Sequence, residues 1–202
     1  RRQRQMCIRD RLKSVTKSLM SWGEDHDFSE LTKCTDKVAC NADINGLLNY
    51  TTVIDYAAAN NKELENFYPA FKAVKDYVVQ APEKTTGWYL PSIGQWYDFT
   101  ANLGGLPSWD DAINEGNDLT PNLYRWSNQT ELVSKINAYF EPLGTGNYDA
   151  IPNGSYQKFF SSSTYSDSGI WTWFVGKQAN VVQCWHNVRY NSDSAVRPIL
   201  AF

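Results

Sequence analysis

The segment Trp88-Tyr89-Leu90-Pro91-Ser92-Ile93-Gly94-Gln95-Trp96 ends a strand and starts a helix within nine residues. Trp88 to Leu90 reads as a short strand, and Pro91 stops it because proline has no backbone N–H to donate. Ser92 then stands where an N-cap belongs, with Gln95 three residues later, the spacing of a capping box. Trp96, Phe99 and Leu103 recur on one helical face, and Gly104-Gly105 ends the helix. Any fold for this chain must therefore bury a strand and a helix on either side of one sharp junction.

The rest of the chain divides by period. Asn49 to Asn60 predicts a helix with Val53, Ile54, Ala57 and Ala58 on one face. A second helix starts near Asn66 as its cap, with Phe67, Ala70, Phe71, Val74 and Val78 as its core stripe. Ser108 before Trp109-Asp110-Asp111 marks another helix start. Asn128 with Glu131 repeats the capping logic for a helix carrying Leu132, Val133, Ile136 and Phe140. After Gly144 the pattern alternates: Trp171, Trp173 and Val175 share one strand face, and Ile170, Thr172 and Phe174 the other. Ala179 to Trp185 and Ala195 to Phe202 read as further antiparallel strands, with turns at Gly176 and Asn191 to Ser194. The expectation is an α+β domain over residues 12–202, with helices in the first half and a twisted antiparallel sheet in the second. Trp22 and Phe28 are the expected buried anchors of the polar stretch 12–45.

Composition narrows the function classes. Five Arg against one Asp give residues 1–11 a net +4, which leaves −7 on the remainder of a chain whose total is −3. An acidic body carries no electrostatic footprint for nucleic acid or an anionic membrane. The basic opening resembles a translated sequencing-adapter fragment, so residues 1–11 are expected to be artefactual or disordered and to pack on nothing. With no initiating Met the chain reads as a truncated piece, so its lack of a signal peptide says nothing of location. Apart from Cys7, the cysteines are Cys34, Cys40 and Cys184. Cys34 and Cys40 either close a small disulfide loop or remain thiols, and the spacing leaves both open. Two His, neither beside this pair, give no zinc signature, and no metal or cofactor is expected.

Four segments in order carry a family resemblance. Trp88-Tyr89-Leu90-Pro91-Ser92 looks like the W-[RY]-L-P-[ST] signature of the C-type-lectin-like superfamily. Asp43-Ile44-Asn45-Gly46 with Tyr68-Pro69-Ala70, then Ser161-Ser162-Ser163-Thr164-Tyr165 before Trp171, and the ending Val196-Arg197-Pro198-Ile199-Leu200-Ala201-Phe202 resemble one branch. That branch is the Lcl-type C-terminal domain of fimbrillin-associated surface proteins in gut Gram-negative bacteria, matched best over residues 40–202. The resemblance implies a C-type-lectin-like fold on a secreted or outer-membrane-anchored protein. It implies no ligand, because fold alone does not carry function.

Within that superfamily, two activities find weak footing here. Formylglycine-generating enzymes need two C-terminal cysteines, and only Cys184 lies in that region. Calcium-dependent sugar binding uses Glu-Pro-Asn or Gln-Pro-Asp loops; Glu141-Pro142-Leu143 lacks the Asn and Ile151-Pro152-Asn153 lacks the acid. His26 and His186 have no Ser or Cys nucleophile in a recognisable motif, so no catalysis is expected. Asn153-Gly154-Ser155 and two other Asn-X-Ser/Thr triplets carry no meaning expected in a bacterial protein. The expected role is a non-catalytic recognition or adhesion module binding a glycan or a host or partner protein through loops between Gly144 and Ser194. The alternative is a structural or accessory subunit of a fimbrial assembly. Trp185, His186, Asn187, Arg189 and Tyr190 are the candidate ligand-binding residues, combining stacking rings with directed hydrogen-bond groups. The competing reading puts Trp185 in the core and Tyr190 over the sheet edge.

Overall fold

The computed structural model describes residues 14, 19–31, 33–117, 122–144, 146, 148–151, 157–175 and 181–201. The expectations for residues 1–11, Gly176, Ala179, Asn153-Gly154-Ser155 and Phe202 lie outside them. Among the described residues six helices and five strands follow in the order α1 (Lys37–Ala42), α2 (Gly46–Ala59), α3 (Leu64–Phe67), α4 (Pro69–Lys75), α5 (Ile93–Gly104), β1 (Ile113–Asn114), β2 (Leu123–Trp126), α6 (Leu132–Phe140), β3 (Gln157–Thr164), β4 (Gly169–Val175) and β5 (Val182–Val188). Short 3₁₀ turns cover Trp109–Asp111 and Glu141–Leu143. The fold is α+β, but β1 and β2 precede α6, so helices and strands interleave in mid-chain instead of dividing it in two.

The strands form one antiparallel sheet in the order β1-β2-β5-β4-β3. Because neighbouring strand residues face opposite ways, the sheet divides the core. Phe159, Trp171, Trp173, Val182 and Cys184 pack with Trp96, Phe99, Trp126, Ile136 and Phe140 on one side. Phe160 and Ile170 pack with Trp22, Phe28, Val53, Tyr68 and Phe71 on the other. Sequence neighbours Phe159 and Phe160 thus anchor two separate cores. All seven residues of β4 are buried, as expected of a strand covered on both faces.

Several expectations hold in detail. Trp22 and Phe28 are buried anchors. The capping box at Ser92 and Gln95 is present, and α5 ends at Gly105 in the left-handed region, φ 75°. The 3₁₀ turn after Ser108 carries its own capping box. Leu132, Val133, Ile136 and Phe140 form the buried face of α6.

Others change. The expected helix near Asn66 is two helices, broken at Tyr68 because Pro69 restarts the helix at its first position. The second stops at Lys75, so Val78 misses the core stripe and is 94% exposed. In α2 the buried face is Gly46, Asn49, Val53 and Ala57, with Ala58 exposed. Asn128 adopts a left-handed φ of 60°, and α6 begins from Glu131 without a side-chain cap. The run from Ala195 is not a strand of the sheet. It is extended chain that forms single bridges, Ala195 with Phe159 and Ile199 with Tyr89. Val196, Ile199 and Leu200 are nevertheless buried.

Candidate functional site

Three motif segments meet inside the protein around Asp43, which is 2% exposed. Its carboxylate accepts from the Ser163 hydroxyl at 2.5 Å, the Asn45 amide at 3.0 Å, and the Cys34 thiol and Asn49 side chain at 3.4 Å each. Its carbonyl accepts from the Ser92 hydroxyl at 2.7 Å and the Gly94 amide at 3.1 Å. The Ile93 amide donates to Ser163 Oγ at 2.8 Å. The first amides of α5 are thereby satisfied by a neighbouring segment, which answers the orphan-donor problem of a helix start. A Cβ on Gly94 would stand 2.5 Å from the Asp43 carbonyl, so only glycine permits this approach. Asp43, Ser92 and Ser163, one from each motif segment, thus form a buried joint.

The three described cysteines are buried thiols, and no disulfide joins Cys34 to Cys40. Burial pushes the thiols of Cys40 and Cys184 well up, which keeps them protonated and unreactive. Among the described residues no group of His, Cys, Asp and Glu could hold a metal ion.

The stretch expected as a recognition loop is mostly strand. Trp185, His186 and Asn187 belong to β5, whose alternation sends His186 to one face and Trp185 and Asn187 to the other. His186 stacks on Tyr165 at 4.4 Å, and burial holds its imidazole below the ordinary value. Arg189 is 1% exposed. Its guanidinium donates to the carbonyls of His26 (2.6 Å) and Ser166 (3.1 Å) and lies 4.8 Å over the Trp22 ring. Burial brings its pKa down to about 10. Tyr190 is 64% exposed and stands apart from Trp185 in the following turn.

On the Trp185 face the sheet brings together groups that sequence reasoning missed. Lys158 from β3 reaches across β4, with Nζ 5.3 Å from the Phe174 ring centre and 5.6 Å from that of Trp185. The Trp185 ring stands edge-on to Phe174 at 4.3 Å. Lys158 Nζ meets Asp193 Oδ2 at 2.5 Å, and Asn187 Nδ2 donates to the same oxygen at 3.0 Å. Asn187 Oδ1 accepts from the Val188 amide and the Asn191 side chain, each at 3.0 Å. The Ser194 hydroxyl donates to Asp193 Oδ1 at 2.9 Å. Burial lowers the Lys158 pKa, and the hydrogen bond to Asp193 opposes that shift. The available signal was Lys158 standing in the pattern of a buried strand directly before Phe159-Phe160, where a cation must find a partner.

Elsewhere, a groove of about 550 Å³ runs along α2, α3 and α4 over Ile54, Ala58 and Leu64, rimmed by Lys62, Lys75 and Asp76. It shares no lining residue with the Trp185 face. No described helix is long and apolar enough to cross a membrane.

No protein-family description matches the chain, and no curated protein does. The fold is similar to that in a crystal structure of a fimbrial protein from Bacteroides ovatus, with a TM-score of 0.52 and 16% identity. The match covers 92% of this chain and 33% of that protein, so the chain spans about a third of its length.

Proposed function

We propose that this chain is a non-catalytic structural or accessory module of a fimbrial assembly at a bacterial cell surface. The observation that carries this reading is the fold likeness to a fimbrial protein across 92% of the chain. The way the sheet ends accords with this reading. Backbone bonds from Phe160 to Ala195 and from Ser162 to Pro91 close the outer side of β3, and among the described residues the two-residue β1 is the terminal strand at the other end, where an added strand would pair. We further read the fold as C-type-lectin-like, on the meeting of three motif segments at Asp43 and the pairing of the fourth with Tyr89 through Ile199. The test is to shear surface appendages from the source bacterium and probe them with antibody to this module. Recovery in the polymer fraction is expected; exclusive recovery from the cell interior overturns the reading.

The second reading is a recognition module for a glycan or a surface protein. It rests on the exposed Tyr190 ring and the half-buried Trp185 indole. A glycan array comparing the native chain with Trp185→Ala and Tyr190→Ala variants decides it. Bound spots that vanish with either variant support it, and identical arrays remove both residues.

A further inference from the structure

We propose that Lys158 and Asn187 form an intramolecular isopeptide bond, with Asp193 moving the protons. The inference stands apart from the fimbrial reading and holds for any role of the chain. It rests on the way Asp193 touches both Lys158 and Asn187 and on the groups that surround those two side chains.

The nucleophile is the Lys158 amine, on a residue 6% exposed and set against the Phe174 and Trp185 rings. An apolar setting favours the uncharged, nucleophilic form of lysine, the direction in which burial moves this group. The electrophile is Cγ of Asn187. Its Oδ1 already accepts two N–H donors, from Val188 and Asn191, which stabilise the negative charge that develops there during attack. Asp193 Oδ2 contacts both the attacking nitrogen (2.5 Å) and the departing one (3.0 Å). The Ser194 hydroxyl fixes the other carboxylate oxygen. One carboxylate touching both nitrogens is the arrangement a proton shuttle needs, and β3 and β5 hold the two reactants on a rigid sheet.

The step balances without an outside reagent. Asp193 accepts a proton from the Lys158 ammonium, and the freed amine adds to Asn187 Cγ. Asp193 returns that proton to Nδ2, and the Cγ–Nδ2 bond breaks as the new Cγ–Nζ amide forms. A second proton from Nζ passes through Asp193 and departs with the ammonia as ammonium.

The experiment is intact-mass spectrometry of the purified, denatured chain after incubation near neutral pH, with tryptic mapping. The expected mass is one ammonia below that of the sequence. A branched peptide should join Lys158 to Asn187, and cleavage after Lys158 should be blocked. Lys158→Arg, Asn187→Ala and Asp193→Asn should each restore the full sequence mass. An unchanged native mass overturns the proposal whether or not those variants fold. Loss of one water, with a peptide joining Lys158 to Asp193, overturns the assignment of Asn187 as electrophile. Persistence of the ammonia loss in Asp193→Asn overturns the role of Asp193.

Discussion

The Asp43 carboxylate accepts a 2.5 Å hydrogen bond from the Ser163 hydroxyl, tying together residues 120 positions apart. Around that contact the segment before α2, the start of α5 and strand β3 become one joint. A carboxylate accepting several donors in a low-dielectric interior is costly to disturb, because each donor left behind is stranded without water.

Asp43→Ala should therefore destabilise the chain by about 3 kcal/mol, with donors on Ser163, Asn49 and Asn45 left unsatisfied. For a chain of this size the melting temperature should fall by roughly 6–12 °C. A thermal melt that moves by less than a degree would show that water or side-chain rearrangement replaces the carboxylate.

Ser92→Ala should destabilise by about 1–2 kcal/mol. The hydroxyl's bond to the Asp43 carbonyl and its half of the capping box are lost, while Gln95 Oε1 still accepts from the residue-92 amide. Denaturant unfolding should show a lower midpoint with an unchanged slope, since the same surface is exposed on unfolding.

His186 should make stability pH-dependent. Burial holds its folded pKa below the ordinary 6.5, so as pH falls the unfolded chain takes up the proton first. This contribution is fully present above 6.5, is lost as pH falls from there towards the folded pKa, and is constant below that. His186→Gln should flatten this segment of the urea-midpoint profile. Coincident profiles for the two proteins between about pH 7 and pH 5 would assign the slope to other groups.

What the sequence disclosed was local. α5 and α6 could be read because their apolar stripes recur within a few residues, and α5 also because its cap lies beside it. Val78 was misread because periodicity continues past the point where α4 loses its hydrogen bonds. Arg189 was read as a surface group because cations are rarely buried; its carbonyl partners lie 163 and 23 positions away. The Lys158 cluster stayed hidden because strand order sets it. Lys158 and Asp193 are 35 positions apart and meet only once β3, β4 and β5 are in register.

The C-terminal run supplies the last test. It lies outside the sheet, yet it closes two gaps. Ala195 exchanges backbone bonds with the β3 edge, donating to the Lys158 carbonyl at 2.8 Å and accepting from the Phe160 amide at 3.1 Å. Ile199 does the same for Tyr89, donating at 3.0 Å and accepting at 2.9 Å, and the Thr86 amide donates to the Ala201 carbonyl at 2.9 Å. Ile199 and Leu200 are also buried. Removing residues 198–202 would strip the buried Tyr89 of both backbone partners and open the interior beside the α5 junction, while leaving the Ala195 bonds in place. Losing two buried aliphatic side chains costs about 2–5 kcal/mol each, and the stranded backbone groups add to that. Such a loss rivals the whole stability of a typical domain, about 5–15 kcal/mol. The truncated chain should lose its cooperative melt and its near-ultraviolet circular dichroism. A truncation that stays monomeric and melts in one sharp transition would show that this extended run is dispensable to the core.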